Sequence, residues 1–341
     1  MFSYLYSIKF KLYNTTCSSF ITHNSQLTYM PYMVFKKSPF TCHSVHLELV
    51  ERSLVTFFLL LSFSLFSQDS LHTKKIFPKI INFSLTSVAY YEFTSQMTQH
   101  FFRDYPYGEF HLKHDWKTWR GLDKFYHNYG SYQMSSVFYQ ANKTCGFDSI
   151  KALNLAFLES TIFSTTKEFA DGHIDIGGWS WYDIMMNFTG NSIFYAQQRW
   201  WGSQRIQYKF SYFSSDLQQY NPKVLGTSYK NYWLKDYNGE TFWLSTSLGD
   251  WKITENKWLK PIGLCVGYGA NNLIKEWDNP STFTLPRYSQ YYLGLDINWQ
   301  QIPTYNKLLK TVFFVLNRFR FPLPSIEVNS IGKLQFHGYK S

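Results

Sequence analysis

The chain has 341 residues, of which 45% are apolar and 16% are charged, with a formal net charge of +10. This apolar content excludes an intrinsically disordered chain, and the length suffices for one large domain or two smaller ones. The positive charge is spread out, with only short basic runs such as Lys74 and Lys75, so it predicts no nucleic-acid partner. Aromatic residues make up 21% of the chain, and rings in such number either fill a core or face lipid.

Residues 1–67 predict an upstream extension followed by a signal peptide. Arg52 precedes an apolar run from Leu54 to Phe66, which is too short to span a bilayer at about 20 residues. Ser67 offers a small residue for cleavage before Gln68. We therefore expect a cell-envelope protein, in the periplasm or outer membrane, whose true start codon lies downstream of the first methionine. An uncleaved anchor is the alternative, and no cysteine stands at the cleavage point to carry a lipid.

Two cysteines, Cys145 and Cys265, follow the predicted cleavage point. In an oxidising compartment they can form one disulfide, and two buried thiols are the alternative. Their spacing from histidines does not indicate a zinc site.

Residues 68–118 form a poorly defined linker, and helical periodicity begins at Trp119. In residues 119–201 the apolar spacing predicts three helices: one starting near Leu122, one over residues 150–169, and one after Gly177 and Gly178. Their polar faces are narrow. These helices should therefore be buried in protein or touch a membrane.

Residues 202–341 predict a β-rich region, because the apolar period changes to two after Trp201. The candidate strands are residues 205–212, 241–248, 262–270, 289–299 and 332–339. A helix is predicted over residues 305–320, ended by Pro322 and Pro324. The fold class that follows is α+β, with three helices packed against a C-terminal antiparallel sheet; a membrane-associated partial barrel is the alternative.

The first predicted helix carries an acid and an imidazole on one face. Asp123 and His127 are four residues apart, so their side chains lie one above the other. A carboxylate beside an imidazole can fix its tautomer, as a general base or a metal ligand requires. An intrahelical pair at a packed helix start is the alternative.

The second predicted helix ends with Glu168 and Asp171, which can share a face, followed by Gly172, which permits a positive φ. The two acids can bind a divalent cation or act as acid and base. A solvated helix end is the alternative, although acids at a helix C-terminus oppose the helix dipole and need another partner.

The third predicted helix brings a further polar stripe. Ser180 can cap it, and Asp183 then lies in its first turn. Asn187 follows one turn later and is expected to hydrogen-bond to another helix, which the small Gly190 allows to approach closely. The polar groups of the three helices are therefore expected to meet in space.

Several motifs in order resemble the YfiM-like family, domain of unknown function 2279, of Gram-negative envelope proteins. They are DKFYH, KEFADG, GWSWYDIMMNFTGN, QRWWGSQRIQYKFSY, NPKVLGTSY, LKDYNGETFWLS and KLQFHGY. The resemblance implies a periplasmic lipoprotein or envelope protein without an assigned activity, and the shared motif positions Asp123, Lys124, His127, Glu168, Asp171, Gly172, Trp179, Ser180, Asp183, Asn187 and Gly190. This chain departs from the family pattern at Tyr126, where a small residue is expected, and in the missing lipobox cysteine. The helical half is also similar, over a shorter stretch, to VanZ-like membrane proteins.

The sequence favours a non-enzymatic envelope protein with a structural or interaction role. The alternative is an enzyme acting on lipid or peptidoglycan precursors, with His127 as general base, Asp123 orienting it, and Glu168, Asp171 and Asp183 holding a cation or acting as acid. No cofactor is evident beyond a divalent cation, and the metal-ligand set is undetermined. The expected partners are membrane lipid or envelope proteins, with a homo-oligomer left open.

Overall fold

The computed structural model describes residues 108–227 and 229–339, without the side chains of residues 229–231. The predicted extension, signal peptide and cleavage site lie outside these residues. The described helices are α1 Leu122–Thr144, α2 Ser149–Asp171, α3 Trp181–Trp201, α4 Pro222–Leu225, α5 Tyr229–Lys235 and α6 Lys307–Leu316. The described strands are β1 Gln207–Tyr212, β2 Glu240–Ser247, β3 Ile262–Asn271, β4 Tyr288–Ile297, β5 Ser325–Asn329 and β6 Leu334–His337.

Helices α1, α2 and α3 pack against one another, and side chains define where two of them begin. Asp148 caps α2 by accepting hydrogen bonds from the backbone N–H groups of Ile150 and Lys151. Ser180 caps α3 by accepting from the backbone N–H of Asp183 at 3.2 Å. None of the helices in the described ranges is both long and apolar enough to span a bilayer.

Helices α1 and α3 approach each other most closely at Gly190. A methyl group added there would lie 2.1 Å from the carbonyl oxygen of Asn128 in α1. The missing side chain also leaves room for Asn128 to donate a hydrogen bond to the carbonyl oxygen of Met186 at 3.0 Å. Gly190 therefore sets the distance between two helices that both carry polar side chains.

We expect Gly190→Ala to lower the free energy of unfolding by roughly 1–3 kcal/mol, since the added methyl group must push the helices apart. Gly130→Ala, in the middle of α1, is the matched control, because a methyl group there meets nothing within 4 Å. The control should stabilise the helix by about 0.5–1 kcal/mol. Denaturant titration of both variants measures the difference, and equal changes would contradict the steric explanation.

The six described strands form one antiparallel sheet in the order β1-β2-β3-β4-β5-β6. Each strand pairs with the next along the chain, as in the register Phe210↔Phe242 and Trp243↔Gly267. The predicted α+β class is confirmed, with the helices in the N-terminal part and the sheet in the C-terminal part. Strand β5 is absent from the sequence-based prediction because its five residues follow directly on Pro322 and Pro324.

Aromatic rings fill the core between α1 and the sheet. Phe125 stacks on Tyr268 of β3, with ring centroids 4.7 Å apart, and Tyr129 lies 5.8 Å from both Phe210 and Phe242. Tyr126 points to the same side, edge-on to Phe242 at 6.4 Å. A large residue is therefore accommodated at position 126 because its ring packs on the sheet.

The opposite face of the sheet buries polar groups. Lys209 of β1 is fully buried and lies 2.6 Å from the carboxylate of Asp296 in β4. Arg320 crosses this face, where its guanidinium lies 4.0 Å from the ring centre of Trp243. Cys265 is buried beside Arg320, and neither Cys265 nor Cys145 forms a disulfide.

Candidate functional site

A cluster of ionisable side chains lies where the N-terminal ends of α1 and α3 meet the C-terminal end of α2. Lys124 is at its centre: its ammonium lies 2.9 Å from Asp115, 2.6 Å from Asp123 and 2.5 Å from Asp183. Only 3% of the Lys124 side chain is exposed. The buried ammonium group of Lys124 therefore forms ion pairs with three carboxylates. It contacts one oxygen of Asp123 and one oxygen of Asp183.

The other oxygens of these two acids face His127. Its Nε2 atom lies 3.8 Å from Asp123 Oδ1 and 3.6 Å from Asp183 Oδ2. Both distances are too long for a hydrogen bond. Asp123 Oδ1 also accepts a hydrogen bond of 3.3 Å from the hydroxyl of Tyr237.

The second ring nitrogen of His127 faces two acceptors. Nδ1 lies 3.2 Å from Glu168 Oε1 and 3.3 Å from Asn187 Oδ1, and this amide oxygen already accepts from the hydroxyl of Ser131 at 2.9 Å. The contact with Asn187 Oδ1 is within hydrogen-bond geometry, so it places the hydrogen of a neutral ring on Nδ1. In a neutral ring this leaves the lone pair of Nε2 aimed at the carboxylates of Asp123 and Asp183.

Glu168 and Asp171 contribute further acid to the cluster. Glu168 is 0% exposed, and neither of its carboxylate oxygens has a hydrogen-bond donor; Asp171 Oδ1 also lacks one. Lys167 forms an ion pair of 2.6 Å with Asp171 and lies 3.5 Å from Glu168. The cluster therefore holds six acids, of Asp115, Asp123, Glu168, Asp171, Asp183 and, at the start of β2, Glu240, against two lysines and one imidazole.

Burial of this excess of acid shifts the pKa values. Burial raises the pKa of Glu168 to about 8 and, together with the neighbouring Asp123, that of Asp183 to about 9. Burial likewise lowers the pKa of His127 to about 3 and keeps the ring neutral. Burial acts to raise the pKa of Asp123 as well, but His127 and Lys124 outweigh it and lower the pKa to about 2. Without a further cation, Glu168 and Asp183 therefore hold protons at pH 7.

Three of these groups are placed to bind a metal ion. Ligand atoms of Asp123, His127 and Asp183 all lie within 4.8 Å of one another. Two ligands bound at about 2.1 Å to one ion are separated by at most about 4.2 Å, and the separations of 3.6 and 3.8 Å from Nε2 fit that limit. The other ring nitrogen of a ligating histidine usually donates a hydrogen bond to an oxygen atom that orients the ring, and here Asn187 Oδ1 accepts at 3.3 Å.

The remaining sequence-predicted residues have structural places around the cluster. Ser180 donates a hydrogen bond of 2.5 Å to Asp115 as well as capping α3. Gly172 and Trp179 lie outside the cluster and contact Phe110: a methyl group at Gly172 would lie 2.5 Å from its ring, and the Trp179 ring is 6.0 Å away. The positive φ that a glycine permits is not used at Gly172, where φ is −56°; the ring contact, not the backbone turn, requires glycine.

Sequence patterns missed four contributors to the cluster: Asp115, Lys167, Tyr237 and Glu240. Asp115 precedes the helical periodicity, and Tyr237 comes from the β-rich region, so neither shares a face with the motif residues along the chain. Glu240 lies at the start of β2 with both carboxylate oxygens buried and without a donor. Burial, together with the neighbouring Asp236 and Asp123, raises the pKa of Glu240 well above its usual range.

The cluster coincides with a family match. Residues 114–198 match the family described as predicted periplasmic lipoprotein, DUF2279. The DUF2279 region contains every acid and lysine of the cluster except Glu240, and it ends within α3, before the sheet. The resemblance of the motifs after residue 198 stays a prediction, and no curated protein or solved structure matches the chain.

The raised pKa values of Asp183 and Glu168 predict how the free energy of unfolding depends on pH in a buffer that contains a chelator. The unfolded chain releases the protons of Asp183 and Glu168 near pH 3.8 and 4.5, whereas the folded protein keeps them to about pH 9 and 8. The folded state binds more protons in this window, so the free energy of unfolding falls as pH rises, by up to about 1.4 kcal/mol per pH unit for each proton. Below pH 6.5 His127 has the opposite effect on the free energy of unfolding, because its ring is then protonated only in the unfolded chain.

We therefore expect the melting temperature to fall most steeply between about pH 6.5 and 8.5. Calorimetry of the full chain in chelator measures it. Asp183→Asn should reduce the slope of the free energy of unfolding against pH by the contribution of about one proton, since the amide does not titrate. A melting temperature that rises with pH over this range would contradict the assignment of the protons.

Proposed function

We propose that the protein is a cell-envelope protein whose DUF2279 region binds one divalent cation through Asp123, His127 and Asp183. The observation that carries the proposal is the orientation of His127. Its Nδ1–H faces Asn187 Oδ1 at 3.3 Å, and its Nε2 lone pair points at two carboxylate oxygens 3.6 and 3.8 Å away. A cation between these three atoms would join them through metal–ligand bonds.

The charge of the cluster supports the same proposal. A buried acid without a counter-charge costs free energy, which either a proton or a metal ion removes. A divalent cation would replace the proton of Asp183, so binding should release protons. Imidazole suits Zn²⁺ and carboxylates suit Mn²⁺, so these two ions are the probes of choice.

The test is a titration of the full chain with Zn²⁺ and with Mn²⁺ after treatment with chelator. We expect one ion bound per chain, a higher melting temperature, and proton release seen as a dependence of the calorimetric heat on the buffer. His127→Gln and Asp183→Asn should each weaken binding by at least about tenfold.

His337→Gln is the matched control, because His337 also faces a buried acid, at 2.9 Å from Glu327, but lies in the sheet. This variant should bind the ion as the unchanged protein does. Absence of a bound ion at millimolar Zn²⁺ and Mn²⁺ would overturn the proposal, and the cluster would then be a proton-holding seam between helices.

An enzyme acting on lipid or peptidoglycan precursors is the second candidate, supported by a cavity beside the cluster. This surface cavity of about 460 Å³ is lined by His114, Trp116, Lys117, Tyr182, Met185 and Trp277. Two of the lining residues, His114 and Tyr182, are the chain neighbours of Asp115 and Asp183. Incubation of the Mn²⁺-loaded chain with envelope lipids and with peptidoglycan precursors, followed by mass spectrometry, tests it: products that disappear with Asp183→Asn are expected.

A further inference from the structure

One face of the sheet is apolar and exposed from β2 to β6. The register places these side chains next to one another, as in Val266↔Leu293, Leu293↔Ile326 and Ile326↔Phe336. We call this set the apolar sheet face; its members are Leu244, Ile262, Leu264, Val266, Tyr291, Leu293, Leu295, Ile326, Val328, Leu334 and Phe336, and they are 43–72% exposed. A contiguous apolar surface of this extent marks an interaction site in a folded protein.

The alternate residues of the same strands show the reverse pattern. Most are polar or small and are buried on the other side of the sheet, together with Lys209 of β1: Ser245, Gln290, Asp296, Ser325, Glu327 and Asn329. Trp243, Cys265 and Tyr292 form a small apolar cluster on the same side. In a sheet with one wet face, apolar side chains turn inward and polar ones outward. Here the arrangement is inverted beyond the part that α1 covers, so the outward environment that suits these strands is apolar.

One end of the apolar sheet face is rimmed by tryptophans and lysines. The β2–β3 connection (residues 248–261) and the segment 298–316 meet there, since Asn298 and Gln301 each donate a hydrogen bond of 2.9 Å to Asp250. The two segments carry five lysines and two acids. Trp258 is 74% exposed. Indole rings and lysines of this kind favour the boundary between lipid head groups and hydrocarbon.

Helix α6 extends this rim with a second apolar surface. Its ten residues, KLLKTVFFVL, include none that is buried, and Leu308 is 71% exposed. Lys307 and Lys310 lie in its first turn. A short helix with an unpacked apolar stripe and lysines beside it is typical of segments that lie in the plane of a membrane surface.

We propose that the apolar sheet face and helix α6 lie against a lipid bilayer that carries anionic head groups. The hydrocarbon takes up the Leu, Ile and Val side chains, and the lysines of the rim pair with phosphate. A second copy of the chain fits this surface less well, because two like-charged rims would face each other across a two-fold interface. The site for the cation is in the helices, so membrane contact does not depend on it.

The test measures binding of the full chain to vesicles of phosphatidylethanolamine and phosphatidylglycerol by flotation. We expect the chain to float with the vesicles, and high salt to reduce but not abolish binding, because the apolar contribution is not screened. Leu293→Asn with Ile326→Asn, a directly paired position in the sheet, should weaken binding by at least about tenfold, given 1.5–3 kcal/mol for burying a full aliphatic side chain.

Ile150→Asn with Leu158→Asn is the matched control, because both residues lie on α2 and are exposed to a similar degree, 48% and 47%. This control should bind vesicles as the unchanged chain does. Tryptophan fluorescence should shift to shorter wavelength on binding, and Trp258→Phe should remove part of that shift. The proposal is overturned if the chain does not float, if both double variants lose binding equally, or if light scattering shows a dimer that only the sheet variant disrupts.

Discussion

Lys124→Met is expected to lower the free energy of unfolding by about 3–5 kcal/mol, the range seen when one partner of a buried ion pair is removed. Methionine fills much the same volume, so packing changes little. The loss is electrostatic: Asp115, Asp123 and Asp183 would share a buried space with no cation between them. Two-state denaturant titration at pH 7 in chelator is the measurement.

Lys260→Met provides the control for removal of a lysine. Lys260 pairs with Glu255 at 2.8 Å, but Glu255 is 87% exposed, so water replaces the lost partner. A change within about 1 kcal/mol is expected for it. Equal penalties in the two variants would show that the ion pairs of Lys124 contribute no more than a surface pair.

Lys209→Met should destabilise the sheet by about 3–5 kcal/mol for the same physical reason. Lys209 is 0% and Asp296 2% exposed, and Asp296 also accepts a hydrogen bond from Ser245. Burial lowers the pKa of Lys209 despite its partner. Each of the two buried charges is therefore stabilised by the other, and removal of one leaves the other without a counter-charge.

The double variant Lys209→Met with Asp296→Leu separates the ion pair from the packing. Replacement of a whole buried pair by apolar residues is often neutral or stabilising, so the double variant should recover most of the stability lost in Lys209→Met. The coupling energy from the four proteins measures the interaction. A double variant as unstable as the sum of the two single ones would show instead that the site needs polar groups.

The helices and most strands follow from the sequence because their apolar periods are long and regular. The spacing from Leu122 onward matches α1, and the break at Gly146 lies between α1 and α2. Strand β5 has only five residues and follows two prolines, so a local pattern cannot distinguish it from a loop. Its pairing with β4 is a tertiary contact, and sequence periodicity carries no information about it.

Sequence spacing likewise predicts only part of the candidate site, because it reports residues that share a helix face and not contacts between distant segments. Residues on a shared helix face, such as Asp123 with His127, can be found from spacing, and the meeting of three helices follows from their polar stripes. The counter-charges cannot be found that way. Lys124 is marked only by the family resemblance and not by spacing, and Lys167 looks like an ordinary surface lysine in the sequence. Asp115 and Tyr237 reach the cluster from outside the helices.

Because the sheet buries polar residues on one side and exposes apolar residues on the other, the two sides should tolerate different substitutions. An inward residue such as Asp296 or Glu327 meets fixed neighbours at defined distances, so its exact chemistry is constrained. In the proposed membrane contact, an outward residue such as Leu293 meets lipid, which has no fixed shape, so apolar side chains of different sizes are expected to serve there. Exchange among Leu, Ile, Val and Phe should therefore be tolerated at every second position, whereas a one-residue slip of register would turn all the buried charges outward at once.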